Sequence, residues 1–436
     1  MSTRSHTGAF GRLRLVNRIL IPVAALSLLL TGCTGNNEPG ENGKTTITAW
    51  VSRVWSNSSD NFAAFMKEHS DIVVKTEVID TDDILQRLLR AADAGQPLPD
   101  IIQDDTFMLE AFNDAGLVIP LDDYVEAFKA DDSTEFGKVL PIVWSEPTID
   151  GKILGVANAA NMDVLYYNVP WFKEAGVELP LKTYDEIYDA GLALLKARPG
   201  SIPMSIQAVA GDGVTGLKTV LIGAGVPFDG ATPDLHSSGA QYTLELFQKM
   251  QRAGMLPSEA IAWGEAEARG AFISGAGMII DGFTTAGDFI SVDGFDFGED
   301  WEQTLMPIDT GQGDEGARPT SSRSWSITTG SKNPEAAWEV LRYTTTPEFL
   351  IPQVTQGGVP PRNTEALDSP DVAAYWPFFT EEVKQGYLAS VSGPSALNAG
   401  DVEQILEQLW GEIVTGVEIT PAELADKYQP QLDALK

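Results

Sequence analysis

From Thr45 onward, short runs rich in β-branched residues alternate with longer stretches whose apolar positions recur at i, i+3 and i+4. This alternation is the signature of α/β layering around a mainly parallel sheet. Thr46 to Val51 (TITAWV) predicts a first strand, and Ser58 to His69 a helix with Phe62, Phe65 and Met66 on one face. Asp71 to Ile79 predicts the returning strand. Thr81 predicts a helix N-cap, because Asp82 and Asp83 fall in the first turn where the helix dipole favours acids; that helix ends near Gly95. Asp100 to Gln103 reads as a short buried strand, and a helix carrying Phe107, Met108, Ala111 and Phe112 stops at Gly116. These elements make one open α/β lobe. A second set follows Gly151: a strand at Val164 to Asn168, a helix capped by Thr183, a helix from Gly239 to Gly254, the apolar run Gly277 to Ile280, and a strand near Thr304 to Met306. The Gly-rich loop Gly311 to Gly316 leads to a strand at Ser324 to Thr328, after which helices dominate, the clearest at Asn333 to Thr345, Val402 to Thr415 and Thr420 to Lys436. With 436 residues, 43% of them hydrophobic, the chain can bury a large core, and chains of this size usually divide into two domains.

The N-terminus reads differently. Arg4, Arg12, Arg14 and Arg18 form a positive region without an acid, followed by the apolar run Ile19 to Leu30. This is the layout of a secretory signal peptide, and the run is shorter than the roughly 20 residues that span a bilayer. Cys33 is the single cysteine of the chain, directly after Leu30-Thr31-Gly32. That tetrad resembles a bacterial lipobox, which implies removal of residues 1–32, lipidation of Cys33 and anchoring to the outer face of the cell membrane, extracellular or periplasmic. The alternative is an ordinary secreted protein with a chance cysteine. Residues 33–44 (CTGNNEPGENGK) have nothing to bury and read as a flexible tether.

Composition removes several function classes. The 62 Asp and Glu against 29 Lys and Arg give a formal charge of −33, a surface that repels nucleic acid. With Cys33 assigned to lipid, no thiol is left for a disulfide, a zinc cluster or a nucleophile. His6 lies in the leader, so His69 and His236 are the only imidazoles of the mature chain. A metal centre or a Ser-His-Asp triad is poorly supplied. We expect no cofactor, no metal and no catalytic residue.

Segments along the whole mature chain resemble, in order, the extracellular solute-binding protein family 1, the carbohydrate-binding lipoproteins that feed ABC importers. They are Ile47-Thr48-Ala49-Trp50, Gly95 to Ile102 (GQPLPDII), Gly116 to Asp123 (GLVIPLDD), Asp150 to Val156 (DGKILGV), Leu165 to Asn168, Phe172 to Gly176, Lys182 to Glu186, Ala271 to Met278 (AFISGAGM) and Ser331 to Trp338 (SKNPEAAW). Each is a turn or packing signal of low specificity; their order is specific. Two positions depart from the pattern: Ala157 stands where a proline often follows Gly-Val, and Gly277 replaces an alanine. The resemblance implies an α/β, two-lobe periplasmic-binding-protein-like (type II) fold with hinge strands and an interlobe ligand cleft. Lobe one is then expected at 45–156 and 318–355, and lobe two at 157–317 and 356–436.

Ligands of open α/β sheets sit beyond the carboxyl ends of strands, and sugars ask for aromatic faces beside carboxylates, amides and guanidinium groups. On these grounds the expected ligand residues are Arg53 and Trp55 after the first strand, Asp104 and Asp105 after the third, and Asn158 and Asn161, with Asp163 beside them, at the crossover into lobe two. Trp263 and Glu265 in a turn before a helix, Phe283 after the Gly277 run, Arg323 and Trp325 at a lobe crossing, and Gly358 with Arg362 in a tight loop complete the set. Several have a structural alternative: helix capping for Asp104 and Asp105, core packing for Trp55, Trp263, Phe283 and Trp325, a hinge turn for Gly358 and Arg362. Tyr166 and Tyr167 read as strand core. The expected activity is capture of a sugar or oligosaccharide by a monomer, hinge closure, and delivery to ABC permease subunits without chemistry. The rivals are a lipid-anchored glycoside hydrolase, since paired carboxylates need neither cysteine nor histidine, and the same fold carrying a peptide, polyamine or metal complex.

Overall fold

A computed structural model describes residues 43–52, 59–80, 83–211, 214–310, 316–394, 396 and 398–436. The leader, Cys33, Arg53, Trp55 and Thr81 lie outside them. The main sheet contains β1 (Thr45–Ser52), β2 (Ile72–Ile79), β3 (Ile101–Asp105), β4 (Val156–Asn168), β5 (Met204–Ser205), β6 (Met278–Gly282), β7 (Trp301–Leu305), β8 (Pro319–Ile327) and β9 (Val391–Ser392). Its order is β2-β1-β3-β8-β4-β6-β5, with β7 paired to β4 and β9 to β8.

The expectation of a mainly parallel sheet holds for β1 against β2 and β3 and fails in the middle. The chain leaves its first body along β4 and returns along β8. These two strands lie side by side in opposite directions, so β8 is antiparallel to both β3 and β4, and β4 is antiparallel to β6 and β7. Direct strand return gives antiparallel pairing, whereas parallel pairing needs a crossover.

β4 is the structural spine. Residues Val156 to Met162 pair with β8, and Asp163 to Asn168 with β6 and β7. Its β-branched and aromatic second half is the part that sequence patterning identifies; the Ala- and Asn-rich first half is held by ladder bonds. Along all 13 residues only Asn161 and Asp163 escape full burial. Being two apart, they share one face of the strand.

Four apolar clusters cover the sheet. Ile47, Ala49 and Val51 pack with Phe62, Phe65, Trp325 and Phe349, while Ile79, Ile84, Leu88, Ile102 and Phe112 fill the opposite face of the same strands. Further along, alternate residues of β4 enter two other clusters: Leu165 and Tyr167 join Phe172, Leu194 and Trp410, whereas Val164 and Tyr166 join Phe272, Phe289 and Trp301. The period of two explains why one strand serves both cores.

Helix starts follow local chemistry. Thr183 accepts from the Glu186 amide at 3.2 Å and Glu186 reaches back, a capping box repeated by Thr420 and Glu423. The departure at Gly277 also has a local cause. A Cβ there would lie 2.6 Å from Leu194 Cδ1 and 2.7 Å from the Pro203 carbonyl, space this chain gives to the larger Leu194 and Trp171. Among the described residues, no helix is long and apolar enough to cross a membrane, and no group of His, Cys, Asp and Glu is placed to hold a metal ion.

Candidate functional site

The end of β3, the middle of β4 and the start of β8 meet a helix at Thr215–Gly223 around a cleft enclosing about 270 Å³. From β3 and the turn after it come Asp105, Thr106 and Phe107; from β4, Asn161 and Asp163; from the helix, Thr215, Lys218 and Thr219; from β8, Thr320, Ser321 and Ser322. Glu146 and the segment Ser392 to Pro394 close the rim. Most contributions come from strand ends and the crossing strands, where backbone geometry is fixed by the sheet; Lys218 and Thr219 come from the body of the helix and Glu146 from the end of a short one.

Three features define the chemistry. Phe107 is 45% exposed, a large ring left in the open beside polar groups. Below it, Thr106 Oγ1 lies 2.6 Å from Ser322 Oγ and 2.8 Å from Ser324 Oγ, a hydroxyl cluster whose members act as donor or acceptor. Third, the carboxylates are held in place. Asp105 faces Arg323 across the β3–β8 ladder with an ion pair at 3.2 Å. Glu146 is paired with Arg362, which also donates to the Ala157 carbonyl at 3.2 Å and to Thr320 Oγ1 at 3.0 Å.

Asp163 differs from both. Its Oδ2 accepts from the Thr219 hydroxyl, and burial pushes its carboxyl up to about 6, with the Asp281 charge adding and Thr219 and Lys218 opposing. Its neighbour Asn161 accepts from the Thr284 amide at 3.1 Å. Gly282 makes that arrangement possible, since a Cβ at this position would occupy the Asn161 amide. The loop holding Thr284 is itself pinned by Tyr166, whose hydroxyl donates toward the Gly282 and Phe283 carbonyls at 2.9 and 3.0 Å and accepts from Ala286 at 3.0 Å.

The family model for bacterial extracellular solute-binding proteins matches residues 61–380. The chain belongs to that family. Among relatives of this solute-binding protein, a binding protein of Brucella abortus (strain 2308) is 26% identical over 325 residues, covering 72% of this chain and 75% of its own. The arabinooligosaccharide-binding protein of Bacillus subtilis (strain 168) is 26% identical over 185 residues, 41% of each chain. Among solved structures, the cyclic α-maltosyl-1,6-maltose binding protein of Arthrobacter globiformis superposes with a TM-score of 0.74 at 22% identity, covering 90% of this chain and 99% of its own. The fold is thus the two-lobe α/β architecture of that class.

Of the residues singled out by sequence, the structure brings Asp105, Asn161 and Asp163 to the cleft of this solute-binding protein, with Arg323 directly behind Asp105. Arg53 and Trp55 lie outside the described residues. Several others are corrected. Asp104 is 2% exposed and turns inward, accepting from the Asp105 amide at 2.8 Å, so it shapes the turn and does not face the cleft. Asn158 is buried and donates to the Thr344 carbonyl at 2.8 Å, tying β4 to the first core. Trp325 is fully buried between Phe62 and Phe349, because its position on β8 points to the first cluster. Phe283 is likewise core, edge-on to Trp376 at 4.9 Å. Trp263 packs on the cluster that holds Phe172, Leu194 and Trp410 and offers its carbonyl to the Ala208 and Val209 amides, and Glu265 pairs with Arg269 at 3.0 Å on the surface; neither lines the cleft. Gly358 caps a helix at φ 67°, and Arg362 is buried in the crossing, not exposed to ligand. Sequence reasoning missed Phe107, Glu146, Lys218 and Thr219. For Phe107 a signal exists: it follows Asp104-Asp105 at a strand end, but helical periodicity drew it into the core, where Leu109 and Phe112 stand instead.

Proposed function

We propose that this solute-binding protein captures a sugar or short oligosaccharide in the cleft, closes on it by rotation about β4 and β8, and delivers it unchanged to the permease of an ABC importer. The observation that carries this reading is the exposed Phe107 ring beside a floor of hydroxyls and fixed carboxylates. A sugar presents an apolar CH face and a rim of hydroxyls, and this pairing meets both. Family membership and the saccharide ligands in the names of two relatives support the same class.

The lobes we assign are 45–156 with 318–355, and 157–317 with 356–436; most buried apolar residues of each segment pack within their own set, while Ala366 packs with the first set and Val354 with the second. Closure requires that the ligand bind the closed arrangement more tightly than the open one. Lipidation at Cys33 would keep the protein, acting as a monomer, beside its permease.

The test is calorimetric titration of mono-, di- and oligosaccharides, with peptides, polyamines and metal chelates as controls. Saturable saccharide binding that is weakened in Phe107→Ala, without product formation, is expected. Hydrolysis of any saccharide would overturn the binding reading in favour of a glycosidase, and binding confined to the controls would overturn the cargo.

A further inference from the structure

Asp163 stands apart from the other acids of the cleft. It occupies one of two positions on β4 that are not fully buried, and only Oδ2 is engaged, by Thr219. No described residue donates a hydrogen bond to Oδ1, and Asp163 lines the cleft. Behind it, Asp281 stands one register position away on β6, its side chain 3% exposed and clasped by Arg269 at 2.7 and 3.0 Å. Arg269 also meets Glu265 at 3.0 Å and Asp288 at 3.4 Å.

The charged groups that act on Asp163 are Lys218 on the neighbouring helix, Asp281 on the adjacent strand and Glu265 on the helix Glu265–Ile273, with Arg269 of that helix in contact with both acids; the residues β8 contributes to the cleft, Pro319 to Ser322, are uncharged. Lys218 is drawn outward to Glu403 at 3.6 Å. Asp163 is thus a partly desolvated acceptor backed by a second carboxylate whose charge is partly offset at close range by one guanidinium.

We propose that Asp163 is the specificity-determining acceptor of the cleft, holding ligand hydroxyls in its ionised form and rejecting acidic sugars, and that Arg269 is a positioning residue which favours that form by offsetting part of the Asp281 charge. This rests on the cleft being a saccharide site. A carboxylate accepts from two adjacent hydroxyls, whereas its protonated form presents a donor and loses the charge-assisted bonds. Because burial pushes this carboxyl up to about 6, mild acid should switch the site off. Among the carboxylates of the cleft, Asp105 and Glu146 are already paired with Arg323 and Arg362, so the charge an anionic sugar meets is that of Asp163.

The experiment has two arms. In the first, 13C NMR of ligand-free protein follows side-chain carboxyls against pH, with the Asp163 signal identified by its absence in Asp163→Asn. The expected midpoint is about 6, higher in Arg269→Gln, restored by Arg269→Lys and lower in Asp281→Asn. A midpoint near the ordinary aspartate value, or one unmoved by both Arg269→Gln and Asp281→Asn, overturns the proposal. In the second, a neutral saccharide that binds at pH 8 is titrated down to pH 5, and its affinity should fall about ten-fold between pH 7 and pH 5. In Asp163→Asn the affinity should be weak and flat with pH, and the corresponding uronic acid should not bind the wild type. A flat wild-type profile, or an acid limb retained in Asp163→Asn, refutes the role of Asp163. If no saccharide binds at any pH, the sugar reading itself fails, and the first arm still decides whether Asp163 and Arg269 are coupled as described.

Discussion

The pair Glu146–Arg362 offers the sharpest test of the hinge. Arg362 is 1% exposed and Glu146 5% by side chain, so both charges are out of water. The guanidinium also donates to the Ala157 carbonyl on β4 and the Thr320 hydroxyl on β8, so one side chain joins three chain segments at the crossing. Removing the carboxylate in Glu146→Gln leaves a buried cation with only neutral acceptors, a defect of about 3–5 kcal/mol. The double variant Glu146→Leu with Arg362→Met removes both charges and should recover to within about 1–2 kcal/mol of wild type, since an apolar pair of similar volume replaces a buried ion pair at little cost. Denaturant unfolding measures this cycle, provided the slope with denaturant stays constant across the variants. Had Arg362 been a ligand donor, as its place in a tight loop leads one to expect, Arg362→Met would lower affinity and leave stability intact. A loss below about 1 kcal/mol in Glu146→Gln, or a double variant as unstable as the sum of the single ones, would refute the buried-pair account.

Other outcomes follow from burial. Phe107→Ala should weaken saccharide binding about ten-fold, or ~1.4 kcal/mol, in calorimetry while leaving the unfolding midpoint in place, because the ring is exposed. Trp325→Ala should do the reverse, costing about 3–5 kcal/mol in unfolding for a ring that is fully buried between Phe62 and Phe349. Gly282→Ala should lower affinity several-fold through Asn161, whose amide it displaces from the Thr284 N–H; circular dichroism should show an unaltered fold.

Element type was legible in the sequence wherever packing and local chemistry agree. The capping threonines at 183 and 420, the alternating Val164 to Tyr167 and the helical stripe at Ile84 and Leu88 all carry their own physical reason. The first half of β4 was not legible, because Val156 to Met162 has small and amide side chains of low strand propensity and owes its conformation to the β8 ladder. The direction of pairing was equally hidden: Ser324 to Ile327 reads as a strand, and nothing local tells whether its neighbours run parallel.

The site was harder still, for a reason that a single residue pair makes plain. Arg323 and Trp325 are two apart on β8, so a straight ladder would put them on one face; a register shift between them separates their fates. Arg323 turns to Asp105 behind the cleft, and Trp325 goes into the core. A bulge re-aims side chains without leaving a mark in hydrophobic periodicity. The same limit explains the aromatic residues. Large rings near strand ends look like stacking platforms, yet the interior of a two-lobe fold consumes most of them: Phe283 meets Trp376, and Trp325 meets Phe62. Exposure, not ring type, marks a platform, and exposure is settled by the register of strands far apart in sequence. Phe107 emerges because the strand ends at Asp105 and the helix begins only at Leu109, which leaves the intervening turn, and its ring, over the cleft.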